Sequence, residues 1–286
     1  MERLALLPFF GYYNFVVSAQ VRTFGERWDE AVAKAGAPLC IGLDPLQEKL
    51  PSHLPASPKG VWRFLREIVH ATSDLAAAFK PNLAFFEALG VEGWERLERL
   101  HELLPAHALL IADGKFGDIP STNEQYAKAV FGRIRAHALT VNPYLGGLSL
   151  APFLEDPTRG VFVVCATSNP GAEELQELPT HERMLFEEVA VRARSWNKHG
   201  NVGLVVGTTR LTALEHLQSL VPELPLLLPG SGAQGGSARE AAKLLAKNPQ
   251  GRALFVWARQ ILYASSGKDF AAAARQAAQK CREEVK

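Results

Sequence analysis

The run Ala112-Asp113-Gly114-Lys115-Phe116-Gly117-Asp118-Ile119-Pro120-Ser121-Thr122 places two acids and a base where the apolar stretch His107 to Ile111 gives out. If residues 107–115 form a strand, the two-residue period puts Asp113 and Lys115 on the same side, with Asp118 beyond them in a loop. An acid and a base then share one mouth, the arrangement needed to hold a charged ligand and move a proton. A salt bridge at a strand end would use the same residues, so the neighbouring blocks have to decide between the two.

The first such block is Phe79-Lys80-Pro81-Asn82. A lysine closing an apolar strand is tolerated in a partly buried mouth only when carboxylates compensate it, and Asp44 and Asp113 stand at the ends of the adjoining runs. An alternating Lys80, Asp113, Lys115, Asp118 array would hold each charge against its neighbour before any ligand arrives. The second block, Leu228-Pro229-Gly230-Ser231-Gly232-Ala233-Gln234-Gly235-Gly236, contains G-x-G-x-x-G after an apolar run. A dinucleotide fingerprint would lie in the first βα turn with an acid about 20 residues on. Here the loop follows the seventh run, and no Asp or Glu stands between Lys243 and Lys268. A phosphate site built from backbone N–H groups explains it better, with Arg259 supplying a forked cation. Ser168-Asn169-Pro170-Gly171 reads as a turn that could also hydrogen-bond a polar ring of the ligand.

The elements that would position these groups alternate along the chain. Short apolar runs at residues 38–43, 77–81, 108–115, 138–142, 161–167, 202–207, 225–228 and 253–258 read as strands buried on both faces. Segments such as 61–75, 93–104, 182–198 and 238–247 carry apolar residues at three-to-four spacing and read as helices. Eight βα units predict a (β/α)8 TIM barrel, whose working groups sit at the carboxyl ends of the strands. In order, those ends carry Asp44, Lys80, Asp113 with Lys115, Asn142, Ser168 with Asn169, Thr208 with Thr209, residues 230–236, and Arg259. None carries a histidine, so the eight histidines read as surface or interface residues and imidazole chemistry is not supported.

At 286 residues the chain suits one such barrel, read as residues 24–286 after an extension over residues 1–23. The apolar start is broken by Pro8, Gly11, Tyr12, Tyr13 and Asn14 and shows neither a signal peptide nor a membrane span. A net charge of +1, with scattered Lys and Arg, argues against nucleic acid as a partner. Cys40, Cys165 and Cys281 are far apart and suggest a reducing cytoplasm rather than disulfides or zinc.

Taken together, Leu43-Asp44-Pro45, Phe79-Lys80-Pro81-Asn82, Asp113-x-Lys115-x-x-Asp118-Ile119-x-x-Thr122, Ser168-Asn169-Pro170, the glycine-rich loop and Arg259 resemble the orotidine 5′-phosphate decarboxylases. The longer bacterial branch is the one resembled, over roughly residues 24–275. The resemblance implies cofactor-free, metal-free conversion of orotidine 5′-phosphate to UMP and carbon dioxide. It implies that Asp44 and Lys80 bind the ribose hydroxyls, that Asp113 sits beside the substrate carboxylate, and that Lys115 protonates C6. It further implies a homodimer in which Asp118 and Thr122 complete the neighbouring site, with Ser168 reading the pyrimidine. Pro229, Gly230, Gln234, Gly235 and Arg259 would hold the phosphate, Gln234 by closing a loop over it. Ala258 is a departure, since many members have glycine before the arginine. Three other functions compete. A magnesium-dependent sugar-phosphate enzyme would need an acidic ligand where Lys80 stands. A Schiff-base aldolase would need a neutral Lys80 or Lys115. A non-catalytic nucleotide binder is disfavoured because every functional residue the resemblance implies is present.

Overall fold

Eight parallel strands close into a barrel in chain order: β1 Leu39–Leu43, β2 Ala78–Pro81, β3 Leu109–Phe116, β4 Ala138–Val141, β5 Gly160–Ala166, β6 Val202–Val206, β7 Leu226–Pro229 and β8 Ala253–Trp257. The computed structural model describes residues 22–232 and 238–286. Because successive side chains alternate faces, each strand supplies two layers. Leu39, Ile41, Phe79, Leu110, Leu139, Val141, Val161 and Val163 belong to the layer packed beneath the helices. Cys40, Ala78, Leu109, Ile111, Ala138, Phe162, Leu227, Leu254 and Val256 fill the barrel interior.

The interior is stoppered at the amino-terminal end of the strands. Thr23 caps the helix Phe24–Ala35 through a reciprocal capping box with Glu26, and Gly36 ends it with φ 68°. That helix drives Phe24 and Trp28 against Phe162, with ring centroids 6.0 and 5.9 Å apart. With one mouth plugged by aromatic rings, the opposite mouth is left for polar side chains. The alternation that puts Ala78, Ile111 and Ala138 inside also puts Lys80, Asp113 and Thr140 inside, two residues further up their strands.

The strand boundaries fall within two residues of the sequence expectations, and the differences have local causes. β3 runs on to Phe116 because a register shift between Ala112 and Phe116 lets Phe116 pair with Val141. The Phe116 ring then packs 4.7 Å from Tyr126. The helix expected from Val61 starts at Pro58, since Ser57 accepts the Gly60 N–H and proline suits the first helical turn. The segment expected as a helix over 182–198 is helical from Leu185 to Trp196, after a bridge between Pro179 and Met184. His137 departs from the reading of the histidines as surface or interface residues: half-buried below β4, its Nδ1 accepts the Leu110 N–H at 2.9 Å. Among the described residues, no helix is long and apolar enough to cross a membrane. The three cysteines are free and buried.

Candidate active site

Lys80 and Asp113 lie side by side at the carboxyl ends of β2 and β3, only 5% and 8% exposed. The Lys80 ammonium donates to Asp113 Oδ2. The Lys115 ammonium donates to Asp113 Oδ1 at 2.7 Å, and the Thr140 hydroxyl donates to the same oxygen at 2.9 Å. Three donors therefore converge on one carboxylate. Burial pushes the Asp113 carboxyl up, but Lys80 and then Lys115 overcome it and hold the group well below the usual carboxylate range. Burial likewise works against the Lys80 charge, yet Asp113 and Asp44 prevail and raise its pKa. Both groups are therefore ionised at neutral pH.

Lys115 reaches Asp113 by a route that simple alternation does not give. Its φ is +49°, one of two non-glycine residues with positive φ among those described, and it sits inside the irregular stretch of β3. A non-glycine residue in this conformation is strained and persists only where its surroundings hold it. The holding group is Thr140, whose Oγ1 accepts the Lys115 N–H at 3.0 Å. The side-chain amine, about half exposed, then leans back over Asp113 into the mouth of the barrel.

Asp44 follows β1 directly. Burial pushes its carboxyl up, with Lys80 opposing that shift, and its Oδ1 is buried with no hydrogen-bond partner. The backbone carrying it is latched by the Tyr263 phenol, which donates to the Asp44 carbonyl at 3.1 Å and accepts the Leu46 N–H at 2.7 Å. Ser168 stands after β5, where Gly207 permits the approach: a Cβ there would lie 2.7 Å from the Ser168 Cβ. Pro229 ends β7, Gly230 turns the chain with φ 90°, and Arg259 opens the short helix Arg259–Leu262 after β8. Gln234 and Gly235 lie outside the described residues.

Asp44, Lys80, Asp113, Ser168, Pro229, Gly230 and Arg259 line one cavity of about 230 Å³. The Ala258 departure is accommodated within the same wall. A Cβ on Gly42 would meet the Ala258 Cβ at 2.6 Å, so the glycine on β1 makes room for the alanine after β8. A larger groove of about 760 Å³ lies at the other end of the strands, beside Trp28, Pro38 and Ala253. It holds none of the converging charges.

Two predicted residues are not brought to the array. Asp118 lies in the loop after β3, its Oδ1 accepting the Ile119 N–H at 2.6 Å. Thr122 lies in the helix Pro120–Ala127. Their loop is held by the buried Asn123, which donates to the Asp118 carbonyl at 2.7 Å and the Ser149 carbonyl at 2.6 Å. Around it Ile119, Tyr144, Leu145 and Leu148 are exposed, the last two by 52% and 90%. Thr140, Asn123 and Tyr263 were not singled out in the sequence; the one available signal was a threonine within the otherwise apolar β4. Among the described residues, no group of three or more His, Cys, Asp or Glu is arranged to hold a metal ion.

The fold and this site define a (β/α)8-barrel enzyme whose reacting groups stand at the carboxyl ends of the strands. Residues 37–277 match the family model described as orotidine 5′-phosphate decarboxylase / HUMPS family. An orotidine 5′-phosphate decarboxylase of Roseiflexus sp. (strain RS-1) is 48% identical over 249 residues, 86% of this chain and 91% of that protein. The solved Leishmania donovani OMP decarboxylase is similar with a TM-score of 0.79 and 35% identity, covering 92% of this chain and 97% of the other. The Leishmania donovani UMP synthase structure gives a TM-score of 0.80 at 36% identity. Here the match covers 92% of this chain but spans only 56% of the synthase chain. The chain belongs to the orotidine 5′-phosphate decarboxylase family, whose named members are carboxy-lyases.

Proposed function

We propose that the protein decarboxylates orotidine 5′-phosphate to UMP in pyrimidine biosynthesis, and that Lys115 protonates C6 as carbon dioxide leaves. The observation carrying this reading is the buried Asp113 carboxylate fixed between two lysines beside a cavity walled by Gly230 and Arg259. Breaking the bond from C6 to the carboxylate leaves an electron pair on a carbon with no conjugated sink. A lysine ammonium held at that carbon stabilises the developing charge and then neutralises it. Asp113, kept ionised, adds repulsion against the bound substrate carboxylate. Two unit charges 4 Å apart interact by about 4 kcal/mol at an effective dielectric of 20. The upper range of enzymatic barrier lowering is on the order of 20 kcal/mol, so this repulsion supplies only a part. The rest must come from stabilisation of the carbanion and from phosphate binding energy used to exclude water.

In this reading Asp44 and Lys80 hold the ribose hydroxyls, Ser168 reads the pyrimidine, and Pro229, Gly230, Gln234, Gly235 and Arg259 hold the phosphate. The orphaned Asp44 Oδ1 supports the first assignment, because a buried acceptor without a donor is suited to a hydroxyl. Lys80 at the end of β2, paired with Asp113, argues against the magnesium-dependent alternative, which needs an acid there. Asp113 and Asp44 keep Lys80 charged, which argues against a Schiff base on that residue. Residues 24–286 form the catalytic domain in this account, preceded by the extension over residues 1–23. The buried free cysteines support a reducing cytoplasm.

The working unit is a homodimer in which Asp118 and Thr122 complete the partner's site. The apolar side chains exposed around Asp118 support this, since such patches mark interfaces. Mixing subunits tests it. Lys115→Ala and Asp118→Ala, each inactive alone, should regain about a quarter of wild-type activity when dissociated and reassociated, because about half of all dimers are then mixed and each mixed dimer carries one intact site of its two. No regain from well-mixed dimers would place Asp118 in its own subunit's chemistry.

A further inference from the structure

Thr140 holds a position that the decarboxylase reading does not use. It lies on β4 facing the barrel interior and is 1% exposed, in register with neither lysine yet bonded to two residues within the β3 irregularity. Its one oxygen accepts the Lys115 N–H at 3.0 Å, so its one proton is free to be donated, and it goes to Asp113 Oδ1 at 2.9 Å. The two bonds span the chain on either side of Gly114.

We propose that Thr140 is a positioning residue for the decarboxylation step, its hydroxyl setting the Lys115 backbone and the Asp113 carboxylate in fixed relation so that the lysine ammonium is delivered to the reacting carbon. The inference rests on the assignment of Lys115 as proton donor. Lys115 is in a left-handed conformation that costs free energy for a non-glycine residue and persists only where its surroundings hold it. The Thr140 oxygen supplies an acceptor for that N–H within the barrel interior. The same hydroxyl fills the last acceptor site on Asp113 Oδ1, which also receives Lys115. Without it the carboxylate can turn about its side-chain bond toward Lys80, and the amine follows it. Among the described residues the Thr140 side chain bonds Lys115 and Asp113 and does not line the cavity shared by Asp44, Gly230 and Arg259, so ground-state binding is left to other residues.

The test compares the whole protein with Thr140→Val, Thr140→Ala and Thr140→Ser by steady-state turnover of orotidine 5′-phosphate, UMP affinity and thermal unfolding. Loss of the hydroxyl in the Val and Ala variants should lower kcat by roughly ten- to a hundredfold, the usual result of misplacing a reacting group by about 1 Å. KM and the UMP Kd should stay within about threefold of wild type, the pattern of a lost transition-state interaction. The Ser variant should recover most of kcat. If Val does not fold, the Ala and Ser pair decides. A hydroxyl-free variant with wild-type kcat, or a Ser variant as slow as Ala, would overturn the proposal. Wild-type protein that folds but does not turn over would instead overturn the decarboxylase reading on which it rests.

Discussion

Replacing Asp113 with Asn keeps the shape of the side chain and removes the charge that lets Lys80 be buried. The Lys80 side chain is 7% exposed and that of Asp113 10%. Deleting one partner therefore strands a cation with Asp44 alone to offset it. The Lys115 contact at 2.7 Å corresponds to about 6 kcal/mol of Coulomb attraction at an effective dielectric of 20, before desolvation and screening are subtracted. Because the Lys115 side chain is 48% exposed, most of that is screened, and the Lys80 side of the pair dominates. Breaking a buried pair costs about 3–5 kcal/mol, which for a chain of this size lowers Tm by roughly 6–10 °C. Urea and thermal unfolding at pH 7 measure both. The double variant Lys80→Met with Asp113→Leu should recover most of the loss, since removing both charges removes the stranded one. If Asp113→Asn unfolds within about 0.5 kcal/mol of wild type, the spread of an ordinary surface substitution, then Asp113 does not compensate Lys80 and the electrostatic account of the site fails.

Asp44→Asn should behave in the opposite way for stability: burial raises the Asp44 carboxyl, so neutralising it leaves Tm unchanged or higher at pH 7 while KM for orotidine 5′-phosphate rises several-fold on loss of the proposed ribose contact. His137 is pushed down to about 4 by burial, with Arg27 and Arg159 adding to the effect. Its folded pKa lies below its unfolded value of about 6.5, so its contribution is complete above that pH and lost between there and about 4. It amounts to on the order of 3 kcal/mol, and His137→Gln should flatten that part of a urea-stability profile. Gly42→Ala would place a Cβ 2.6 Å from that of Ala258, pushing the ends of β1 and β8 apart beside Arg259. The KM for orotidine 5′-phosphate should rise, with the far-ultraviolet circular dichroism of the folded protein retained; an unchanged KM would refute the packing argument.

The barrel was legible because all eight strands are apolar runs separated by amphipathic helices, and burial on both faces forces that pattern. The array was legible in part. Alternation places Lys80 and Asp113 inside the barrel mouth, since a period of two carries the inward face from Ala78 and Ile111 to them. Lys115 reaches Asp113 through a left-handed residue and a register shift, which no periodicity encodes. Thr140 carries no mark in the sequence because a single threonine in a β-strand is ordinary, and its bond to Asp113 forms only when β3 and β4 lie together. Asp118 and Thr122 had only the family motif to mark them, and within one chain they stand apart from the array. The burial of His137 is not encoded locally, because exposure follows from what packs over the barrel floor, here the neighbourhood of Arg27 and Arg159.

The most direct test of the central claim follows the absorbance loss of orotidine 5′-phosphate with and without EDTA, for wild type and Lys115→Ala. Wild type should form UMP rapidly and equally with the chelator present, and Lys115→Ala, folded and able to bind UMP, should lose activity by several orders of magnitude. Near-wild-type turnover by Lys115→Ala would contradict Lys115 as the proton donor, and turnover that depends on a chelatable metal would contradict the account of the charged array.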